Sequence, residues 1–270
     1  MSTLIRILIA SALFSCAAMA GPILCGHPSA WMIEEAGTSN NFPPGCVGWW
    51  TTNDNSYWYE AVSGNNATFD SGVITSNGFN RFTGAFASKA DLPSSTYTNL
   101  GPNWTICGWV RFPTSGQNNW FFGSYKSTGG QLGYGIGCLF DPGVVALGLR
   151  TGSLAVIAGS AVENNCMYSS TNGTVSLDTW HFVAVGCSNW SSSNFGFYGY
   201  VDGDIKEMQI WTGESRQDYL KYGSAQPMIG GLAGYDLRAF VDVANDSLRV
   251  FTTNKTKTEL DTEMQRSPSP

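Results

Sequence analysis

The chain is poor in charge and in histidine. Only 13% of its 270 residues are charged, the formal net charge is −6, and lysine and arginine form no cluster. Nucleic acids and anionic membrane surfaces are therefore disfavoured as partners, because both are bound through basic patches. With only His27 and His181, a nucleophile paired with a histidine base is hard to assemble, and no G-x-S-x-G, H-E-x-x-H, EF-hand or phosphate-binding glycine motif occurs.

Long apolar runs are also missing. The run at 7–14 is shorter than the roughly 18 residues that a membrane-spanning helix requires. Arg6 precedes this run and small residues follow it up to Ala20, a pattern typical of a secretory signal peptide cleaved after Ala20. We predict a signal peptide over residues 1–20 and a secreted or cell-surface protein. Acylation of Cys16 in a lipoprotein-type box is the alternative.

Cysteines are few, and none forms a C-x-x-C pair, which argues against a zinc site. An even number remains after removal of the signal peptide, which favours disulfides in an exported chain. These six are Cys25, Cys46, Cys107, Cys138, Cys166 and Cys187. We expect Cys25 and Cys46 to close the N-terminal segment, and the pairing of the other four is left open.

Asparagine, serine and threonine are frequent and form several N-x-S/T triplets. In a host with an N-glycosylation pathway, several of these asparagines are expected to carry glycan. The candidates are Asn66, Asn103, Asn172, Asn189, Asn245 and Asn254. Chance occurrence in an Asn-rich chain is the alternative explanation.

Helical periodicity is nearly absent, and short runs rich in Val, Ile, Trp, Tyr and Phe alternate with turn residues. This pattern predicts a single all-β sandwich domain at 44–262, preceded by an extended segment at 21–43. The expected strands are 47–51, 105–112, 119–124, 133–139, 144–150, 153–158, 180–187, 195–201, 205–211, 228–231 and 248–252. A short helix is expected at 256–265 with Thr258 as its N-cap, and residues 263–270 are expected to be a disordered tail.

Five segments carry a family resemblance. They are the opening strand at 45–50 with the S-G-N loop at 63–65, N-W-T-I-C-G-W-V at 103–110, D-T-W-H-F-V-A-V at 178–185, Y-V-D-G at 200–203 and D-S-L-R-V-F at 246–251. In this order they resemble the laminin-G-like, concanavalin A-like domains of extracellular proteins. The resemblance implies a two-sheet antiparallel jelly-roll sandwich with a short C-terminal helix. Because lectins, adhesion modules, structural proteins and glycan-cleaving enzymes share this fold, it does not determine the function.

Exposed aromatic rings beside Asn and Asp are the side chains that bind sugars, since C–H groups stack on rings and amides bind hydroxyls. Two segments, both interpreted as loops, fit this description, and packing is an equally good explanation for their rings. Their candidate binding residues are Asn55, Tyr57, Trp58, Tyr59, Trp190 and Asn194. Trp49, Trp109 and Trp180 are assigned to the core.

The resemblance also implies calcium, which takes hard oxygen ligands. The candidate ligands are Asp70, Asp242 and Asp246, and turn or capping roles are the alternative. Catalysis is not expected. The E-x-D-x-E segment beginning at Glu259 resembles a laminarinase-type hydrolase motif but lies after the closing strand, and His181 is interpreted as structural.

We therefore expect a secreted, non-catalytic module that binds carbohydrate or a glycosylated partner. The alternative is a structural subunit of a cell-surface, virion or extracellular assembly, in which the chain binds itself or other subunits. A glycan hydrolase or lyase is the weaker alternative.

Overall fold

The computed structural model describes part of the chain. The described residues are 42–85, 88–92, 100–113, 119–123, 133–140, 152–159, 166–169, 175–189, 196–210, 226–231 and 239–267. Outside them lie the expected signal peptide, nearly all of segment 21–43, Cys25, Asn172, Trp190, Asn194 and the strand expected at 144–150. No helix in the described ranges is long and apolar enough to cross a membrane.

Short strands make up most of the described chain. In order they are β1 (Cys46–Asn53), β2 (Tyr57–Glu60), β3 (Ala67–Phe69), β4 (Val73–Ser76), β5 (Phe79–Thr83), β6 (Ala90–Asp91), β7 (Trp104–Arg111), β8 (Asn119–Gly123), β9 (Gly133–Leu139), β10 (Ser153–Gly159), β11 (Cys166–Ser169), β12 (His181–Ser188), β13 (Gly196–Val201), β14 (Asp204–Glu207), β15 (Gln209–Ile210), β16 (Met228–Ile229), β17 (Phe240–Ala244) and β18 (Arg249–Phe251). One helix follows, α1 (Lys257–Arg266). The expected all-β class with a short C-terminal helix is confirmed.

Sheet A is built around β7. This strand pairs with β12 on one side and with both β17 and β18 on the other. The sheet continues from β12 through β13 to β14, from β17 through β5 to β4, and from β18 to the start of β1. The tight turn between β13 and β14 uses positive φ at Asp202 and Gly203, as the Asp-Gly pair predicts.

Sheet B follows the order β1, β2, β3, β6, β16, β8, β9, β10, β11, β15. Strand β1 belongs to both sheets, because Cys46 to Trp49 pair with β18 whereas Trp50 to Asn53 pair with β2. The register shifts within both pairings, and such irregularities let a strand bend from one sheet into the other. All pairings between the named strands are antiparallel.

The core lies between the two sheets and is rich in aromatic rings. In β7, Ile106 and Val110 join this core, whereas Cys107 and Trp109 belong to a second apolar cluster on the outer side of sheet A. This alternation is what a strand with one face toward each layer requires. Of the tryptophans assigned to the core, Trp49 is buried; Trp109 packs in the outer cluster instead, and Trp180 is half-buried.

Helix α1 covers part of the outer face of sheet A. Its N-cap is Thr256, not the expected Thr258, and a capping box joins Thr256 to Glu259 in both directions. Leu260 and Met264 pack in the outer cluster against side chains of β7, β12 and β13. Since the helix continues to Arg266, the tail boundary expected at residue 263 is wrong.

Arg249 fastens the end of α1 to the sheet. Its side chain is fully buried. Nη1 donates to the backbone carbonyl of Glu263 at 3.0 Å and lies 3.2 Å from the Glu263 carboxylate. Nη2 donates to the Asp246 carbonyl and to the Ser267 hydroxyl. The guanidinium also lies over the Trp49 ring, 4.3 Å from its centroid. Desolvation lowers the pKa of Arg249, and the neighbouring Glu263 carboxylate opposes that shift.

Four cysteines whose side chains are described carry free thiols: Cys46, Cys107, Cys138 and Cys187. The structure therefore contradicts the expectation that these four are in disulfides. Burial raises the pKa of Cys46 to about 12 and raises those of the other three further. The other two predicted partners lie beyond this test, since Cys25 is outside the described residues and only the backbone of Cys166 is described.

Candidate functional site

The turn between β1 and β2 is built on Asp54. The Asp54 carboxylate accepts hydrogen bonds from the N–H groups of Ser56 at 2.6 Å and Tyr57 at 2.8 Å. The backbone N–H of Asp54 donates to the Tyr57 carbonyl. The Tyr59 hydroxyl donates to the same carboxylate at 2.8 Å. These bonds, with the Ser56 N–H first, lower the pKa of Asp54, and the bond to Asp54 raises the pKa of Tyr59.

Two tyrosine rings are exposed on the outer side of sheet B. Tyr57 is 44% and Tyr59 is 42% exposed, whereas Trp58 between them is fully buried in the core. The segment interpreted as a loop is therefore strand β2, and its alternation separates the three rings. Trp58 packs near Trp50, with ring centroids 6.3 Å apart, so its assignment to the binding site is wrong.

Asn55 completes this surface. Its side chain is exposed at the tip of the turn and accepts a hydrogen bond from the Thr75 hydroxyl at 3.0 Å, which ties the turn to β4. We call the surface formed by Tyr57, Tyr59, Asp54 and Asn55 the tyrosine face. The other two predicted sugar-binding residues, Trp190 and Asn194, lie outside the described residues.

Glu60 supports the tyrosine face from the inner side of β2. Its carboxylate is 4% exposed and accepts the N–H groups of Trp49 at 2.9 Å, Val62 at 2.7 Å, Ser63 at 2.8 Å and Asn65 at 3.3 Å, together with the Ser63 hydroxyl. A buried carboxylate is tolerated when donors surround it in this way. Glu60 is not among the predicted site residues, although strand alternation from Trp58 places it on the inner face.

The predicted glycosylation sites differ in accessibility. Asn189 and Asn254 are exposed, and Asn66 and Asn103 are half-buried, so glycan at these four stays a prediction. Asn245 is nearly buried, and its amide nitrogen donates to Asn53 in a set of three linked amides that includes Asn80. A glycan on that nitrogen is incompatible with this packing, so the prediction for Asn245 is wrong.

The predicted calcium ligands are not brought together. Within the described ranges, no three acidic, histidine or cysteine side chains are grouped so that they could hold a metal ion. Asp242 is fully buried, and both its carboxylate oxygens accept hydrogen bonds from arginines. The Asp70 carboxylate lies 3.7 Å from the Lys89 ammonium. The backbone carbonyl of Asp246 accepts hydrogen bonds from the side chains of Trp49 and Arg249. The assignment of Asp242 as a ligand is wrong, because its oxygens are already occupied.

Asp242 instead lies between two arginines on the outer face of sheet A. Arg81 on β5 and Arg111 on β7 are its direct cross-strand neighbours, and each donates from both Nε and Nη2 to its carboxylate at 2.6–2.9 Å. We call these three residues the arginine row. The bond to Asp242 raises the pKa of Arg81.

A serine, a histidine and an aspartate also meet, which sequence reasoning considered hard to assemble. Nδ1 of His181 lies 2.6 Å from the Asp202 carboxylate, and Nε2 lies 2.8 Å from the Ser176 hydroxyl. However, the Ser176 backbone N–H also donates to Nε2, at 3.0 Å. The single lone pair of Nε2 is therefore shared with a backbone donor, which weakens it as a base for the hydroxyl. This arrangement fits the structural role expected for His181.

Comparisons with protein-family models and with curated protein sequences give no match. Among solved structures, the chain is similar to Trypanosoma rangeli sialidase in complex with 2,3-difluorosialic acid, with a TM-score of 0.59 and 15% identity over 87% of this chain and 35% of that chain. It is also similar to the binding domain of Paraclostridial Mosquitocidal Protein 1, with a TM-score of 0.53 and 13% identity over 81% of this chain and 51% of that chain.

The chain thus spans about a third of the sialidase and about half of the chain of the mosquitocidal protein's binding domain. Identities this low show likeness of fold and no more. The neighbours have concanavalin A-like sandwich folds. Together with the strand pairing, they identify the chain as an all-β, concanavalin A-like sandwich.

Proposed function

We propose that this protein is a secreted, non-catalytic module of the laminin-G-like type that binds carbohydrate, free or on a glycosylated partner, through its tyrosine face. The observation that carries the proposal is the pair of exposed rings at alternate positions of β2, beside a carboxylate and an amide. Sugar C–H groups stack on such rings, and the polar groups bind hydroxyls.

Hydrogen bonds already orient the side chains of the tyrosine face without a ligand. The hydroxyl of Tyr59 is held by Asp54, the turn is tied to β4 through Asn55, and Glu60 anchors the chain directly after β2. A surface whose side chains are already ordered loses less entropy on binding. This favours a recognition role over simple packing for these exposed rings.

The structural neighbours are compatible with this proposal. One is a sialidase in complex with a sialic acid derivative, and the other is named as a binding domain. Because the chain spans only part of each, their activities are not transferred to it. The shared Nε2 lone pair of His181 argues against a serine nucleophile at Ser176.

A glycan-array screen of the wild-type protein tests the proposal, followed by affinity measurements on the best ligand. We expect Tyr57→Ala and Tyr59→Ala each to weaken binding by about fivefold or more, since one aromatic contact contributes about 1 kcal/mol. Leu177→Ala is the matched control, because Leu177 is 40% exposed elsewhere and its removal should leave affinity unchanged.

Three outcomes would contradict the proposal. They are a wild-type protein that binds no glycan, tyrosine variants that bind as well as Leu177→Ala, and degradation of the array oligosaccharides. A large assembly without glycan binding, seen by native mass spectrometry, would favour the structural-subunit alternative.

A further inference from the structure

A second polar surface lies on the outer face of sheet A. There the arginine row places Asp242, which is fully buried, between two arginines whose side chains are 32% and 23% exposed. Val110 precedes Arg111 on β7 and Val241 precedes Asp242 on β17, and both valines lie in the core. Because side chains alternate along a strand, the arginine row lies on the opposite face. The row therefore presents guanidinium groups to solvent.

One carboxylate holds both guanidinium groups. The Nη2 atoms of Arg81 and Arg111 both lie within hydrogen-bonding distance of the same Asp242 oxygen, so the two groups lie side by side. Each arginine uses Nε and Nη2 on Asp242, and Nη1 of Arg81 makes no hydrogen bond within the described residues. Two positive charges thus share one buried negative charge, so Asp242 alone leaves one positive charge without a buried counterion.

The other nearby carboxylate is that of Asp178. It is 75% exposed and lies 3.9 Å from Nη1 of Arg111, which is too far for a hydrogen bond. Asp178 also helps to raise the pKa of Arg81, so its charge acts on both arginines. An external carboxylate that approached Nη1 closely would form the charge-assisted bond that Asp178 does not.

Aromatic rings border the arginine row. The Arg111 guanidinium lies 5.5 Å from the Phe79 centroid and 5.3 Å from that of Trp180, and Arg81 lies 5.7 Å from Phe79. Both rings are half-buried, so each keeps exposed surface. Guanidinium groups beside partly exposed rings suit a ligand with both a carboxylate and an apolar ring face.

We propose that the arginine row binds the carboxylate of an acidic saccharide in competition with Asp178. The inference rests on the proposed function only in taking the ligand to be a saccharide, because the two surfaces share no residue. Tyrosine-face variants and arginine-row variants therefore fail independently.

The test compares a galacturonic acid oligomer with its methyl ester, which keeps the sugar and removes the charge. We expect the acid to bind and the ester to bind at least about tenfold more weakly. Arg81→Gln should abolish the preference for the acid. Asp178→Asn should raise affinity for the acid about two- to fivefold, because it removes the competing charge, and Asn tolerates the positive φ at this position.

Lys206→Gln is the matched control, since it removes one positive charge from β14 on the same sheet. Arg81→Lys keeps the charge and the packing while losing the bidentate bond, and should retain part of the acid preference.

Thermal unfolding of each variant distinguishes lost binding from lost folding. Three results would overturn the proposal. They are equal binding of the acid and the ester, an unchanged affinity of folded Arg81→Gln for the acid, and a weaker affinity of Asp178→Asn for the acid. Preference for a polyglutamate peptide over the saccharide would assign the site to an acidic protein instead.

Discussion

Replacing Glu60 with glutamine tests whether one buried carboxylate holds β1, β2 and the following loop together. The carboxylate accepts four backbone N–H groups, divided between its two oxygens. A glutamine offers one oxygen and one NH₂ group, so either orientation leaves at least two backbone N–H groups facing a donor. Because each hydrogen bond to a charged group contributes about 1.5–3 kcal/mol, we expect Glu60→Gln to lower the free energy of unfolding by about 3 kcal/mol or more.

Urea unfolding at neutral pH measures this change. Glu207→Gln is the control, since Glu207 is exposed on β14 and its replacement should change stability by less than about 0.5 kcal/mol. Hydrogen exchange adds a local measurement, because the N–H groups of Val62 and Ser63 should exchange faster in Glu60→Gln. A loss of stability no larger than that of Glu207→Gln, with unchanged exchange, would refute the reasoning.

Three further predictions concern the helix, the thiols and the histidine. The Thr256 N–H lowers the pKa of Glu259, so the stabilisation from this carboxylate is complete above its ordinary value of 4.5 and is lost as the pH falls through the lowered value. Wild type and Glu259→Gln should therefore differ in stability at neutral pH and converge in acid; a constant difference would contradict the capping box. Iodoacetamide should not label Cys46, Cys107, Cys138 or Cys187 in the native protein but should label all four after unfolding without reductant, and protection after unfolding would reveal disulfides. Ser176→Ala should hydrolyse a nitrophenyl ester at the same rate as wild type, and a clear loss would identify Ser176 as a nucleophile.

The fold was largely predictable because it depends on local patterns. Strand β9 was predicted with its observed bounds, and the Asp202-Gly203 turn was identified from its positive-φ chemistry. Strands β2 to β6 were missed because they are two to five residues long and rich in polar residues. Their pairing depends on neighbours distant in sequence, which a local pattern does not record.

The candidate site was predictable only in part. Tyr57, Tyr59 and Asn55 were identified from composition, but the role of Trp58 required knowing that the segment is a strand. The same knowledge would have placed Glu60 inward. The N-cap error was avoidable, because the capping box prefers glutamate three residues after the cap, which Thr256 has in Glu259, whereas Thr258 has Asp261 there.

Contacts between distant segments were beyond the sequence. Asp242 meets Arg81 across 161 positions and Arg111 across 131, so neither pair shows in local spacing. The same holds for His181 and Asp202, which meet because β12 and β13 are adjacent. An aspartate that looks like a metal ligand in the sequence becomes an arginine partner once the register of three strands is known.

Mapping NMR chemical-shift changes on the wild-type protein during titration with its best glycan-array ligand tests the central claim most directly. If the outer face of sheet B binds sugar, the largest changes will fall on Tyr57, Tyr59 and the turn at Asp54, and Tyr57→Ala will remove them while leaving the arginine row unperturbed. Changes centred on any other surface, with the tyrosine face unaffected, would contradict the account.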